Sequence, residues 1–438
     1  METLIPILGI LVILAVAVLW SESGQAAPNL TGMRRFLSRF KNRLTEINWR
    51  MVATGLAINF GLALLMLKVP GTSDAVISVG KAVTHVIDFA MEGAVFVLGD
   101  TIVYGKFFKP GQEVAQHEFI FAVRIGFSII FVSGMVAIGY YFGLVQRIVK
   151  LLARFLTRSM GLSGPEALSC AAATWVGQVE CQLLIKPYMP TLTRSELFTT
   201  MTSAMATTAG SALVVYISLG MPANFLITAS LMSALNGIIL AKIVCPEREP
   251  EKILREANIA LPAEGVNAFD AASHGVMTGT DIAVKVITMV AFAIGFMGMV
   301  NFGLGKVLDL FGLHAQIQDI LAYPFMPVAW LIGVPWHECF HVGRLMATEL
   351  VFNEIVSYGE LAPVIHGAGP YILAAKTQLI ASVALCGFAH LGSLGINIGG
   401  LGAMAPNRKG EIAGMAFKSM MVANMATWLS AAICGLLF

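Results

Sequence analysis

The chain has 438 residues, 57% of them apolar and 12% charged, with a net charge of +2 and a mean hydropathy of +0.78. A soluble domain carries about 25% charged residues, so this composition argues against a soluble enzyme and predicts an all-α integral membrane protein. With no basic tail or basic–aromatic patch, no nucleic-acid partner is expected, and six cysteines without C-x-x-C spacing read as small buried residues.

The first apolar run, 4–20, precedes "GQAAPN", which resembles a cleavage site. Glu2 stands where a signal peptide has its positive region, so the run is read as a retained span. Further runs long enough to cross about 30 Å of hydrocarbon fall at 51–68, 119–144, 196–219, 222–244, 280–304, 372–400 and 412–437. The 21–50 loop carries six bases against two acids, 145–158 four against none, and 69–118 three against six. Basic loops stay inside, which predicts eight spans with both termini outside and with Arg408 and Lys409 inside. Residues 74–99, with Lys81, Asp88 and Glu92 among apolar positions, predict an interfacial helix. The amphipathic stretch 146–158 fits the inner surface.

Two apolar stretches, 162–190 and 320–350, are interrupted midway by "VGQVECQ" (176–182) and "GVPWHEC" (333–339). Each is too broken for a span and too apolar for an open loop, so each predicts a re-entrant hairpin buried in protein. After each comes a span with glycine and small polar residues at its centre, "TTAGS" (207–211) and "AHLGS" (389–393). Hairpin plus broken helix, twice and in opposite orientation, is the pattern of an inverted-repeat secondary transporter with its site near the midplane. The expected organisation is a scaffold over 1–160 (three spans and the interfacial helix) and a first transport repeat over 161–245. A charged linker and long span follow over 246–313, then a second transport repeat over 314–438. With no Walker motif, ATP-driven transport by this chain alone is not expected.

Residues 337–341, "HECFH", match H-E-x-x-H, in which two histidines on one helical face hold zinc and the glutamate acts as base. His337 and His341 are therefore candidate zinc ligands of an intramembrane metalloprotease. The longer form of the motif fails, because Arg344 and Ala347 stand at its glycine and third-histidine positions. A histidine-lined site with a different ligand, using His337, His341 and His390, is a second alternative.

The stretch "VGQVECQLLIKPYMPTLTRSELFTTMTSAMATTAGS" (176–211) resembles the concentrative nucleoside transporter family. The likeness continues in "NAFDAAS" (267–273), "GVPWHE" (333–338), "NE" (353–354), "CGFAHLGS" (386–393) and "GGLGAMAP" (399–406), and covers residue 44 onward. The resemblance implies a homotrimer of eight-span protomers in the bacterial cytoplasmic (inner) membrane. It implies cation-coupled nucleoside symport, no enzymatic activity and no cofactor beyond the coupling ion, Na+ or H+. By resemblance Gln178, Val179 and Glu180 contact the base, Glu338, Phe388, His390 and Ser393 hold the ribose, and Val176, Thr207 and Thr208 belong to the cation site. The chain departs from the family's usual residues at Val179 (threonine or serine), His390 (asparagine) and Ala173 (an asparagine that binds sodium). Sodium is the expected ion; a proton carried by Glu180, Glu338 or His390 is the alternative.

Overall fold

The computed structural model describes residues 4–22, 32–69, 71–103, 120–254 and 265–438. Glu2, the cleavage-like stretch 24–29, residues 104–119 and linker residues 255–264 lie outside the described residues. Among the described residues every regular element is helical.

The chain opens with α1 (Leu4–Leu19), α2 (Gly32–Glu46) and α3 (Trp49–Leu67), followed by α4 (Thr72–Leu98), the short α5 (Asp100–Val103), α6 (Phe121–Tyr141) and α7 (Leu144–Met160). Asn48 starts α3 by accepting a hydrogen bond from the Met51 N–H. Gly143 and Gly161 bracket α7 in the left-handed conformation that glycine adopts without penalty. The expected interfacial helix is α4, and its Lys81, Asp88 and Glu92 are exposed.

Hairpin one consists of α8 (Gly164–Ala173) and the single turn α9 (Glu180–Leu183). A reciprocal capping box, Ser163 with Glu166, fixes the start of α8. The next apolar run is two helices, α10 (Arg194–Ala206) and α11 (Gly210–Ser218), and α12 (Ala223–Val244) follows unbroken. The main departure from expectation is α13 (Ala268–Asp309), whose 42 residues extend about 63 Å, beyond the expected 280–304. Asn267 accepts from the N–H groups of Phe269 and Asp270, which moves the helix start well before the apolar run. Hairpin two is α14 (Ile317–Leu331) and α15 (Cys339–Val351). It leads through α16 (Glu354–Ile365) to a second broken helix, α17 (Ala375–Ala384) and α18 (Leu391–Met404), and to α19 (Lys409–Leu437).

Helices α3, α6, α12, α13 and α19 are long and apolar enough to cross a membrane. With the shorter α1 and the two broken helices they account for eight spans. The core is built on α12 and α19, of whose apolar windows 83% is buried, against 12% for α13. Around them pack α10 and α17, while α6 runs along α13. Hydrogen bonds replace solvent in this core: Asn59 Nδ2 donates to Met232 O at 3.1 Å, and Asn236 Nδ2 to Ser430 Oγ at 2.9 Å. Helix α1 belongs to the same body, packing against α19, α14 and α12.

Candidate binding site

The tip of hairpin one, residues 174–179, is wedged between α11 and α18. The Gly210 N–H donates to Trp175 O at 3.3 Å. Asn397 of α18 donates through Nδ2 to Gln178 Oε1 at 3.4 Å and to Ser393 O at 3.0 Å. Gly400 forms the notch for Val179, since a Cβ there would stand 2.9 Å from Val179 Cγ1. Gly177 likewise leaves room for the Glu180 carboxylate.

The two helix breaks touch through backbone. A Cβ at Gly387 would lie 3.2 Å from Met205 O and 3.3 Å from Ala206 O, tighter than ordinary van der Waals contact, so glycine eases this approach. Beside it, Thr208 Oγ1 is 3.2 Å from Cys386 Sγ. Both half-helices that follow, α11 and α18, start without a side-chain cap, which leaves N–H groups at their starts for other partners.

Against these elements lies a cavity of about 500 Å³, within the range of small-molecule sites. Apolar residues of α6 and α13, among them Ile129, Val136, Ile282 and Met289, form one side, with Lys285 among them. Gln178, Val179, Glu180, Phe388 and His390 all line it, as does Val176. Glu338 and Ser393 are not in its wall. The Glu338 carboxylate turns to Ala374, accepting its N–H at Oε1 at 3.1 Å. Ser393 is fully buried and its N–H donates to His390 O. Thr207 and Thr208 are buried behind the cavity, with Thr207 Oγ1 donating to Ser203 O at 3.1 Å. Ala173, also buried, brings no side-chain oxygen to them.

Asn353 and Glu354 also line the cavity, although no role was expected of them from sequence. Asn353 caps α16 by accepting from Val356 N. Glu354 is buried, accepts from the Tyr216 hydroxyl at 2.9 Å, and stands 3.6 Å from His390 Nε2. In the sequence "NE" carried only part of the family likeness and no role, because an Asn–Glu pair opening a helix serves capping in any fold.

His337 and His341 do not share one helix. His337 sits in a 3₁₀ turn, Trp336–Glu338, with its side chain 80% exposed and 3.7 Å from Glu338 Oε1. His341, in the first turn of α15, stacks on Tyr371 with ring centroids 4.0 Å apart. Among the described residues no group of three His, Cys, Asp or Glu is placed to hold a metal ion. All six cysteines are buried and free.

Sequence models of a transporter family cover most of the chain. That described as "Na+ dependent nucleoside transporter C-terminus" matches residues 225–435, its N-terminal counterpart 37–101, and "Nucleoside recognition" 122–223. The nucleoside permease NupC of Helicobacter pylori is 32% identical over 91% of this chain and 93% of its own length. Human solute carrier family 28 member 3 is 34% identical over 91% of the chain, which spans 57% of that longer protein. Among solved structures, CNTnw in an inward-facing substrate-bound state superposes with a TM-score of 0.87, at 34% identity over 100% of this chain and 99% of that one.

Proposed function

Because the chain belongs to the Na+-dependent nucleoside transporter family, we propose that it carries nucleosides inward across a bacterial cytoplasmic membrane, driven by the sodium gradient. One observation supports a polar solute in this site. Around the meeting point of the hairpins and α18, His390 Nδ1, Ser393 Oγ, Asn397 Oδ1 and Glu338 Oε2 are buried with no hydrogen-bond partner. Each such group costs about 1–3 kcal/mol when left unmade, and a nucleoside offers hydroxyls and a base edge to satisfy them.

In this reading Gln178, Val179 and Glu180 contact the base from hairpin one. Glu338, Phe388, His390 and Ser393 hold the ribose, Glu338 and Ser393 entering the site as hairpin two and α18 adjust around the ligand. Val176, Thr207 and Thr208 supply cation ligands, with backbone oxygens or water in place of the side chain missing at Ala173. The repeats are 161–245 and 314–438, their hairpins re-entrant from opposite faces, with 1–160 as scaffold and 246–313 as linker and long span. Both termini lie outside. Three copies assemble, covering part of the apolar face of α13, where Phe292, Phe296 and Phe302 are exposed.

The test is uptake of radiolabelled uridine or adenosine into sealed proteoliposomes. Uptake should collapse when choline replaces sodium at fixed pH. Persistence in choline, with uptake following an imposed proton gradient, would overturn sodium coupling. Tight stoichiometric zinc with cleavage of a protein substrate and no uptake would overturn transport itself.

A further inference from the structure

Helix α7 presents three stripes. Gln146, Val149, Leu156 and Met160 are buried, and the helix packs on α8, α3 and α6. Leu144, Leu151 and Phe155 are exposed, at 57%, 64% and 47%. Their i, i+7, i+11 spacing keeps them on one side of the helix. Arg147, Lys150, Arg154 and Arg158, also exposed, form a third stripe at i, i+3, i+7 and i+11. It runs about 17 Å along the axis. No acid stands anywhere in α7, and among the described residues none of these four bases is paired with one. The neighbouring elements place the helix. Span α6 ends at Tyr141, just before it, and span α3 begins at Trp49 beside its end, where Asn48 and Met51 share a cavity wall with Thr157 and Met160. Trp49 is 42% exposed and donates its indole N–H to Leu44 O at 2.7 Å, with the exposed Arg50 next to it. Such an indole is typical of the boundary between hydrocarbon and headgroups.

Water alone suits the bases but leaves Leu151 and Phe155 wet, and hydrocarbon alone suits those two but not four charges. The interface between them serves both stripes. A zwitterionic headgroup brings its own cation with each phosphate, so it leaves the basic stripe uncompensated. An anionic headgroup does not. We propose that α7 docks on anionic phospholipid, its four bases on the phosphates and its exposed apolar stripe among the first acyl carbons. The charges alone would also fit an acidic soluble protein; the two span ends and Trp49 favour the bilayer. Only Gly161, Leu162 and Ser163 separate α7 from α8, the first arm of hairpin one. The lipid that holds α7 therefore also seats that hairpin. This inference rests on the chain spanning a bilayer and is independent of the solute that the cavity takes.

A bimane label on Leu151→Cys of the full chain reports the lipid beside α7, since the six native cysteines are buried. The protein is placed in vesicles of phosphatidylglycerol and phosphatidylcholine, with brominated acyl chains on one lipid at a time. Brominated phosphatidylglycerol should compete for the position at least about fivefold better than brominated phosphatidylcholine, the effect of a single engaged base. The preference should shrink as salt rises from about 0.05 to about 0.5 M. It should fall below about twofold when Arg147→Gln, Lys150→Gln, Arg154→Gln and Arg158→Gln are combined, and survive Lys306→Gln on α13. The salt series needs no charge variant, so it decides the matter even if the combined variant does not fold. Equal quenching by both lipids at every salt overturns the anionic preference. Quenching by neither means that a second copy or another protein covers the face, and overturns the docking. Loss of the preference on adding millimolar glycerol 3-phosphate at fixed ionic strength means a site for free phosphate, and overturns the assignment to lipid.

Discussion

Hairpin one is held from outside itself, and hairpin two from within. Glu166, in the first turn of α8, meets Lys242 of α12 at 2.6 Å, with side chains only 1% and 10% exposed. In hairpin two the corresponding pair joins its own arms: Asp319 at the start of α14 and Arg344 of α15 are 3.3 Å apart and about a quarter exposed. Hairpin two also relies on close backbone approach, since a Cβ on Gly343 would meet Ala322 O at 2.8 Å. The breaks differ in the same sense. At the first, the Thr207 hydroxyl is hydrogen-bonded within the protein; at the second, His390 Nδ1 and Ser393 Oγ are not. The first unit is locked to the core through Lys242, while the second is held by its own arms and leaves polar atoms at its break for something else to complete.

The largest effect should come from unlocking hairpin one. Lys242→Met leaves Glu166 buried without its cation and should cost about 3–5 kcal/mol. Arg344→Met should cost less than about 1 kcal/mol, as partly exposed pairs do. Thermal unfolding of the two variants in one detergent checks the difference, and equal losses would remove the contrast. Next comes Glu338→Gln, which keeps an oxygen for Ala374 N but removes the charge. Nucleoside binding should weaken about tenfold, or roughly 1.4 kcal/mol, with the ligand-free melting temperature held; unchanged uptake would remove Glu338 from the ribose site. At the breaks, Thr207→Val should destabilise the ligand-free protein by about 1 kcal/mol. Ser393→Ala should leave ligand-free stability unchanged and lower affinity instead, which calorimetry on both variants would separate.

The smallest effect concerns Glu22, which ties the end of α1 to α10 and α19. It accepts from Arg194 Nε at 2.8 Å and from Lys418 Nζ at 3.3 Å. Burial pushes its carboxyl up, but the Arg194 hydrogen bond and the Lys418 charge outweigh this and hold it below the usual value. A lowered folded-state value means the stabilisation is complete above the unfolded carboxyl's pKa of about 4.3 and is lost as pH falls through the lower folded value. Glu22→Gln should therefore cost less than about 1 kcal/mol at neutral pH, and its melting temperature should approach that of the wild type under acid. A gap that widens under acid would contradict the assignment.

The spans were legible because burial in a membrane writes itself into continuous apolar runs, and "TTAGS" and "AHLGS" marked the two breaks by their small polar residues. What stayed hidden depends on tertiary meeting. Glu354 looks like any helix-opening acid until Tyr216, 138 residues away, places a hydroxyl on it. The extra turns of α13 were missed because its first residues are capped and helical without being apolar. The H-E-x-x-H alternative finds no support for the converse reason: Pro335 and the 3₁₀ turn put His337 outside the regular helix, so a helical spacing in sequence has no helical face in space.

The close packing of Gly387 against the carbonyls of residues 205 and 206 has a mechanical consequence. A backbone oxygen cannot swing aside as a flexible side chain would, so the two breaks are tied together at this point. The threonines beside the first break and the histidine beside the second sit on backbone segments packed against one another. A bulky residue at position 387 should push those segments apart.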